Sequence, residues 1–189
     1  MKQIKSIGLM LLASLVLNVS FAQGDMAKEK TVEVGGAPMY PSKNIVENAV
    51  NSKDHTTLVA AVKAAGLVET LQSAGPFTVF APTNDAFNML PAGTVETLLK
   101  PENKMKLTGI LTYHVVAGRL GTKELDEKIK AGDGTAELAT VAGGKLWIMK
   151  KGGKYMLKDE NAGMAAITIK NVYQSNGVIH VIDHVVLPK

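Results

Sequence analysis

Four histidines and their neighbouring carboxylates are the residues of this sequence that could do chemistry. His180 and His184 are four apart, with Asp183 beside the second, a spacing that on a helix would suit two ligands of one metal ion. The valines and isoleucines around them favour a strand, in which the two imidazoles would lie about 13 Å apart. The sequence therefore predicts no metal site from this pair, while either ring could still meet His114 or His55 from another element.

Patterns typical of enzymes are absent from the sequence. No serine stands between glycines as in a nucleophile elbow, and the chain has no cysteine. No glycine-rich loop ends in Gly-Lys-Ser or Gly-Lys-Thr, and no dinucleotide-binding glycine pattern follows a strand. We therefore predict a protein without catalytic residues, cofactor or metal.

Tyr113 and His114 form a further candidate site, directly before Val115 and Val116. Alternation predicts a strand in which one of the two rings faces the core and the other faces the opposite layer. A buried imidazole needs a hydrogen-bond partner, which Asp85, a backbone carbonyl or the last strand could provide. The pair is interpreted either as structural or as part of a binding surface.

The segment FTVFAPTNDAF, residues 77–87, predicts a strand that ends at Pro82 and runs into a helix. Thr83, Asn84 and Asp85 each offer a side-chain oxygen to the exposed backbone donors of that helix. Asp85 is also favoured there by the helix dipole. Besides capping the helix, Asp85 is a candidate residue for contact with a partner.

The N-terminus has the pattern of an export signal. Lys2 and Lys5 precede an apolar run over residues 7–19, and small residues at Ser20 and Ala22 precede a predicted cleavage at Gln23. We expect residues 1–22 to be removed and the chain to reach the periplasm, the cell surface or the medium. The apolar run is shorter than the about 20 residues that span a membrane, and no later segment is long enough.

After the predicted signal, the sequence changes from an irregular segment to helical patterns and then to strand patterns. Residues 23–40 are rich in Gly, Pro, Lys and Glu without a period, which predicts a flexible leader. Helical patterns then prevail, with a capping box from Asn44 to Glu47 and a left-handed stop at Gly66. From Thr135 onward, β-branched runs alternate with turn signals, which predicts an antiparallel meander. Residues 41–189 therefore form one α+β domain, whose late sheet the strand at Phe77 must join.

The charged residues of the sequence indicate few classes of binding partner. Lys150, Lys151 and Lys154 surround a Gly-Gly turn and could touch an anionic polysaccharide or lipid head group, although lysines that protect a sheet edge are commoner. The formal charge is only +4, and no basic face with interleaved aromatic residues is visible. We predict no nucleic-acid partner.

Three stretches of the sequence together resemble the fasciclin domain. They are FTVFAPTNDAF, the Tyr-His pair in YHVVAG, and the closing segment NGVIHVIDHVVLP over residues 176–188. The resemblance covers nearly all of the chain after the predicted signal. It implies a fasciclin-like β-sandwich or wedge of antiparallel strands, with several α-helices packed against it.

The resemblance also implies a function. Fasciclin domains act as secreted, non-catalytic modules for cell adhesion or extracellular-matrix binding, and their first motif and Tyr-His region are tied to partner binding. Asp85, Tyr113 and His114 are therefore the candidate partner-binding or motif-coupling residues, with Asp85 and His114 expected to hold the two motifs in register. The expected partners are cell-surface or matrix proteins or polysaccharides, and a monomer is expected.

The alternative hypothesis is a periplasmic binder of a small apolar or anionic ligand, held in a pocket between the helices and the sheet. A deep cavity lined by Met and Leu would favour this alternative. A filled core with an exposed apolar strip would favour adhesion.

Overall fold

A computed structural model describes residues 29–189, which contain seven α-helices and nine β-strands. The predicted signal peptide, residues 1–22, lies outside the described residues. The helices are α1 (Ile45–Ala49), α2 (Thr56–Ala65), α3 (Val68–Gln72), α4 (Asn84–Asn88), α5 (Thr94–Leu98), α6 (Lys104–Tyr113) and α7 (Thr122–Ala131), with short 3-10 turns at Lys53–His55 and Pro101–Asn103. The strands are β1 (Val32–Val34), β2 (Ala37–Met39), β3 (Phe77–Pro82), β4 (Val115–Ala117), β5 (Thr135–Ala139), β6 (Lys145–Lys151), β7 (Lys154–Lys158), β8 (Met164–Gln174) and β9 (Gly177–Ile182).

Seven strands form one sheet in the order β4-β3-β9-β8-β7-β6-β5. Strands β5 to β9 form the predicted antiparallel meander, while β3 joins the sheet by pairing in parallel with β9, so that Phe77 lies opposite Gly177. A bridge between Val116 and Thr140 connects the two ends of the sheet. The sheet is therefore strongly curved, and the predicted α+β class is confirmed.

The curved sheet separates two apolar cores. Val79 and Ala81 of β3 face a core shared with helices α1 to α6, while Phe80 faces a second core inside the sheet, where α7 packs. Thr78 is also fully buried. Its hydroxyl is satisfied there, because it donates to the Gly118 carbonyl (2.6 Å) and accepts from the Leu120 amide. β3 is therefore a central strand buried on both faces.

The prediction of a flexible leader over residues 23–40 needs correction where the structure describes it. Strands β1 and β2 form a hairpin in this segment, with Val32 opposite Met39. Val34 and Met39 are buried in the helix-side core. The Gly35-Gly36 turn allows the hairpin, since both residues have positive φ angles of 59° and 75°. The hairpin contributes apolar side chains to the core, although its strands are too short to show a hydrophobic period in the sequence.

Local signals in the sequence are confirmed where side chains satisfy nearby backbone groups. Asn44 and Glu47 form a reciprocal capping box at α1, and Gly66 ends α2 with a left-handed φ of 73°. Thr83 caps α4, because its hydroxyl accepts from the Ala86 amide at 3.2 Å. β3 thus runs into a capped helix, as the sequence predicts.

The Asn176 side chain connects three elements distant in sequence. Its carbonyl oxygen accepts from the Ile45 amide at the start of α1, and its amide nitrogen donates to the carbonyls of Leu71 and Ser73 at the end of α3. Asn176 lies in the turn before β9 and is buried. A residue read from sequence as a turn former therefore also anchors two helices to the sheet.

Candidate functional site

The Tyr-His pair ends helix α6 and does not lie in a strand. Tyr113 is the last residue of α6, and His114 is its C-cap with helical backbone angles (φ −81°, ψ −1°). β4 begins only at Val115, so the predicted strand alternation across the pair is wrong. The helical turn continues to His114 because its ring can reach back to the carbonyl of Ile110, four residues earlier.

His114 joins α6 to the end of the chain. Its ring is 3% exposed, and Nδ1 lies 2.8 Å from the Ile110 carbonyl, so Nδ1 donates. Nε2 then accepts from the Val186 amide at 3.2 Å. Burial lowers the pKa of His114 to about 4, although the Ile110 carbonyl and the charge of Asp159 oppose this shift. The imidazole is therefore neutral at neutral pH, with both nitrogens satisfied.

Tyr113 joins the same helix to the hairpin strands. Its ring is fully buried in the core inside the sheet, and its hydroxyl donates to the Lys145 carbonyl at 2.6 Å. The hydroxyl also accepts from the Glu160 amide at 3.2 Å. Burial raises the pKa of Tyr113 to about 12, which the Glu160 amide partly opposes. Tyr113 remains protonated at physiological pH and acts as a link between elements.

Tyr113→Phe is expected to lower the free energy of unfolding by about 1 to 2 kcal/mol, because it removes two buried hydrogen bonds and keeps the ring. Urea unfolding followed by circular dichroism measures the change. Tyr173→Phe is the matched control, since the Tyr173 ring is exposed. Equal stability of Tyr113→Phe and the control would contradict the linking role.

The C-terminal tail, residues 183–189, is held in place by residues 159–163, whose sequence indicates a turn but not this contact. The buried Asp159 carboxylate accepts from the amides of Asn161, Gly163 and Leu187 at 2.7 to 2.9 Å. The Asn161 side chain donates to the carbonyls of Leu187 and Pro188. Asp159 is a positioning residue that sequence reasoning missed, because its partners include an amide 28 residues away.

A groove of about 550 Å³ lies between the C-terminal tail and helices α4, α5 and α6. Its apolar lining includes Phe87 and Leu90 at α4 together with Val185 and Leu187 of the tail, and the buried His114 also lines it. The polar side chains on its lining are Thr94, Thr97, Asn103 and Lys106. The hydrogen bond from Val186 to His114 therefore holds one wall of an apolar surface groove in place.

The structure does not bring Asp85 and His114 together. Thr83 caps α4, and the Asn84 side chain accepts from the Thr57 amide at 3.0 Å. Within residues 29–189, the exposed Asp85 carboxylate has no hydrogen-bond or ion-pair partner. Asp85 therefore does not share in the expected coupling of the two motifs: His114 contacts the closing motif through Val186, and the parallel pairing of β3 with β9 sets the register.

His180 and His184 lie in different environments. His180 is buried in β9, where Nε2 donates to the Leu120 carbonyl at 2.8 Å and the ring stacks on Phe80. β9 ends at Ile182, so the exposed His184 follows the strand and pairs with Asp183. Among residues 29–189, no three His, Cys, Asp or Glu side chains cluster as a metal site would require.

The basic hairpin tip carries mostly solvated lysines. Lys150 pairs with Asp126 at 2.7 Å and lies over the Tyr155 ring, whereas Lys151 and Lys154 are exposed. Hydrogen bonding between the two partners lowers the pKa of Asp126 and raises that of Lys150. One of the three lysines therefore has its charge compensated within the fold.

Comparison with known proteins identifies the family. The sequence profile of the fasciclin domain matches residues 53–188. Protein sll1483 of Synechocystis is 49% identical over 160 residues, covering 85% of this chain and 82% of its own length. Immunogenic protein MPB70 of Mycobacterium bovis is 33% identical over 192 residues, covering 94% and 91%. The chain belongs to the fasciclin-domain family.

A solved structure shares the fold. The fasciclin domain pair of the insect cell adhesion molecule Fasciclin I superposes with a TM-score of 0.69 at 16% identity, covering 85% of this chain and 58% of that one. Fasciclin-domain proteins are non-catalytic adhesion-related modules, so this protein is not an enzyme. Within the described residues, no helix is both long and apolar enough to cross a membrane.

Proposed function

We propose that this protein is an exported adhesion module that binds a cell-surface or matrix protein through the groove between α4, α5, α6 and the C-terminal tail. The observation that carries the proposal is the groove itself, an apolar surface cleft whose wall is held open by His114 and Asp159. Membership in an adhesion-related family supports the class of function.

The chemistry of the groove favours a protein segment over a polysaccharide. Aliphatic and aromatic side chains such as Phe87, Leu90 and Leu187 form most of its lining, which suits the apolar side chains of a peptide. The polar rim and Lys106 can contact the backbone or an acidic side chain of that segment. Met89, 61% exposed beside Leu90, extends the apolar surface beyond the groove.

The three candidate residues take different roles in this proposal. Asp85 is exposed on α4, one turn before the C-cap residue Met89, and does not line the groove, so it would contact a part of the partner that extends beyond the groove. Tyr113 and His114 are buried, so in this proposal they act mainly as motif-coupling residues that position the surface, and of the two only His114 lines the groove. The export predicted from residues 1–22 would bring this surface to the periplasm or cell exterior, and fasciclin-domain relatives are secreted or cell-surface proteins.

Ala92→Trp is the variant that tests the groove, because an indole at this exposed lining position would cover it. The purified protein is applied to an array of matrix proteins, envelope polysaccharides and intact cells. We expect saturable binding to a protein ligand, which Ala92→Trp weakens at least about tenfold, or about 1.4 kcal/mol. Asp85→Ala is expected to weaken the same binding by a smaller factor.

Ala60→Trp is the matched control, since Ala60 is exposed on α2 and lines no part of the groove. Binding that survives Ala92→Trp unchanged, with both variants folded, would place the surface elsewhere. Binding to polysaccharides alone would overturn the proposed protein partner.

A further inference from the structure

A second void, called the internal cavity below, lies between helices α1, α2 and α3 and the strands β3 and β9 and is partly open to the surface. Its volume is about 80 Å³, and most of its lining is aliphatic or aromatic. The apolar lining includes Met39, Leu58, Val62, Leu71, Val79 and Ile179. The helix-side core is therefore incompletely filled, although protein interiors are normally packed close to the density of crystals.

Few polar side chains face this internal cavity. Lys63 and Thr70 are solvent-exposed and mark where the cavity approaches the surface, and the half-buried Thr112 donates its hydroxyl to the Thr108 carbonyl. His114 has both ring nitrogens bonded, as described for the groove. The remaining buried polar liners are Ser52 and His55, which lie next to each other at the 3-10 turn before α2.

His55 lines the cavity, and one of its ring nitrogens has no hydrogen-bond partner among the described residues. The residue is 3% exposed, and Nδ1 lies 2.8 Å from the Ser52 hydroxyl. Within the described part of the chain, Nε2 has no hydrogen-bond partner. Burial lowers the pKa of His55, whereas the nearby Ala81 carbonyl, which makes no well-aligned hydrogen bond with the ring, and the Asp54 charge oppose this shift. His55 is therefore neutral, with one ring nitrogen unused.

Nε2 of His55 is a hydrogen-bond donor. The Ser52 hydroxyl can give its proton to Nδ1, which leaves the ring proton on Nε2, beside the Ala81 carbonyl. Buried polar groups without partners are rare in folded proteins, and each one calls for an explanation. The Gln174 amide is also buried and unpaired, but Gln174 lines neither the groove nor the cavity. Among residues 29–189, His55 is the one residue with such a group that also lines a void.

We propose that the internal cavity binds a small neutral molecule whose apolar body fills the space and whose carbonyl or hydroxyl oxygen accepts a hydrogen bond from Nε2 of His55. An apolar cavity of about 150 Å³ holds benzene, so a cavity of this size suits about three to five heavy atoms. An anionic ligand is disfavoured, because the buried liners carry no positive charge and Lys63 lies at the exposed edge. This site is separate from the adhesion groove.

The test uses 2-butanone, a five-heavy-atom ketone, and xenon, an apolar probe that accepts no hydrogen bond. Both are titrated into the isotopically labelled protein while the methyl signals of Val62 and Ile179 and the ring nitrogens of His55 are followed by NMR. We expect saturable methyl shifts with both probes, and a shift at Nε2 of His55 with 2-butanone alone.

Three variants complete the test. His55→Leu is expected to weaken 2-butanone binding at least about tenfold while xenon still binds. Val59→Phe, at a partly exposed lining position, is expected to weaken both probes by filling space. His184→Leu, at an exposed histidine outside the cavity, is expected to change neither.

Two results would overturn the inference. One is the absence of saturable methyl shifts with both probes in the wild-type protein. The other is 2-butanone binding that leaves Nε2 of His55 unshifted or is unchanged in His55→Leu. If His55→Leu fails to fold, the wild-type nitrogen shift alone decides. None of these results depends on whether the groove binds an adhesion partner.

Discussion

His114→Ala is expected to lower the free energy of unfolding by about 3 kcal/mol. The substitution leaves the Ile110 carbonyl and the Val186 amide without their partner in a buried region. It also removes a ring that lies on the walls of both the groove and the internal cavity, so the two voids would grow toward each other. Loss of the bond to Val186 would release the C-terminal tail from α6.

Urea unfolding at pH 7 measures this effect, and amide hydrogen exchange reports on the tail. His184→Ala is the matched control, because His184 is exposed and an exposed substitution usually changes stability by less than about 0.5 kcal/mol. We expect faster exchange at Val186 in His114→Ala only. A His114→Ala protein as stable as the control would show that the ring does not support the fold.

Acidification from pH 7 to about 4 is expected to reduce stability by about 3 kcal/mol through His114 alone. In the unfolded chain this histidine takes up a proton near its ordinary pKa of 6.5, whereas burial lowers the folded pKa to about 4. The unfolded state therefore binds more protons between these values, so the stabilisation is complete above pH 6.5 and is lost as the pH falls. Burial also lowers the pKa of His55 and of His180, which steepens the same loss.

The free energy of unfolding measured at half-unit steps between pH 7 and pH 5 tests this prediction. In this interval His114→Ala is expected to show a slope smaller by as much as one proton, or about 1.4 kcal/mol per pH unit. Tyr113→Phe is expected to keep the wild-type slope, since Tyr113 does not titrate there. A flat wild-type profile, or a wild-type slope in His114→Ala, would contradict the assignment.

Local patterns in the sequence predict much of the fold. The strand from Phe77, the helix after Pro82, the capping box at Asn44 and the hairpins after Thr135 each depend on residues close together in the chain. The three candidate cap residues at the start of α4 show the limit of such local patterns. By residue type, any one of Thr83, Asn84 and Asp85 could cap the helix. The packing of α2 beside α4 determines that Asn84 accepts from the Thr57 amide, whereas Asp85 faces solvent.

Non-local contacts explain what the sequence does not predict. The parallel pairing of β3 with β9 joins segments about a hundred residues apart, and no local period encodes it. The same is true of His114, whose partner Val186 is 72 residues away, and of Asn176, which reaches the Ile45 amide across 131 residues. The β1–β2 hairpin has no recognisable sequence pattern, because each of its strands has only three residues.

The candidate sites depend on packing more than on motifs. The groove needs three helices and the tail together, and the internal cavity exists only where three helices fail to fill the space above β3 and β9. The side chains of the Tyr-His pair are buried, and His114 supports the groove from the core through its bond to Val186. His55, which the sequence presents as an isolated histidine, becomes distinctive only beside an empty volume.

Hydrogen exchange of the protein alone and bound to the ligand found on the binding array tests the central claim most directly. The proposal predicts slower exchange on binding in α4, α5, α6 and the C-terminal tail, with the basic hairpin tip at residues 150–154 unchanged. Protection confined to that hairpin, or to any surface away from the groove, would contradict the claim that this fasciclin domain binds its partner through the groove.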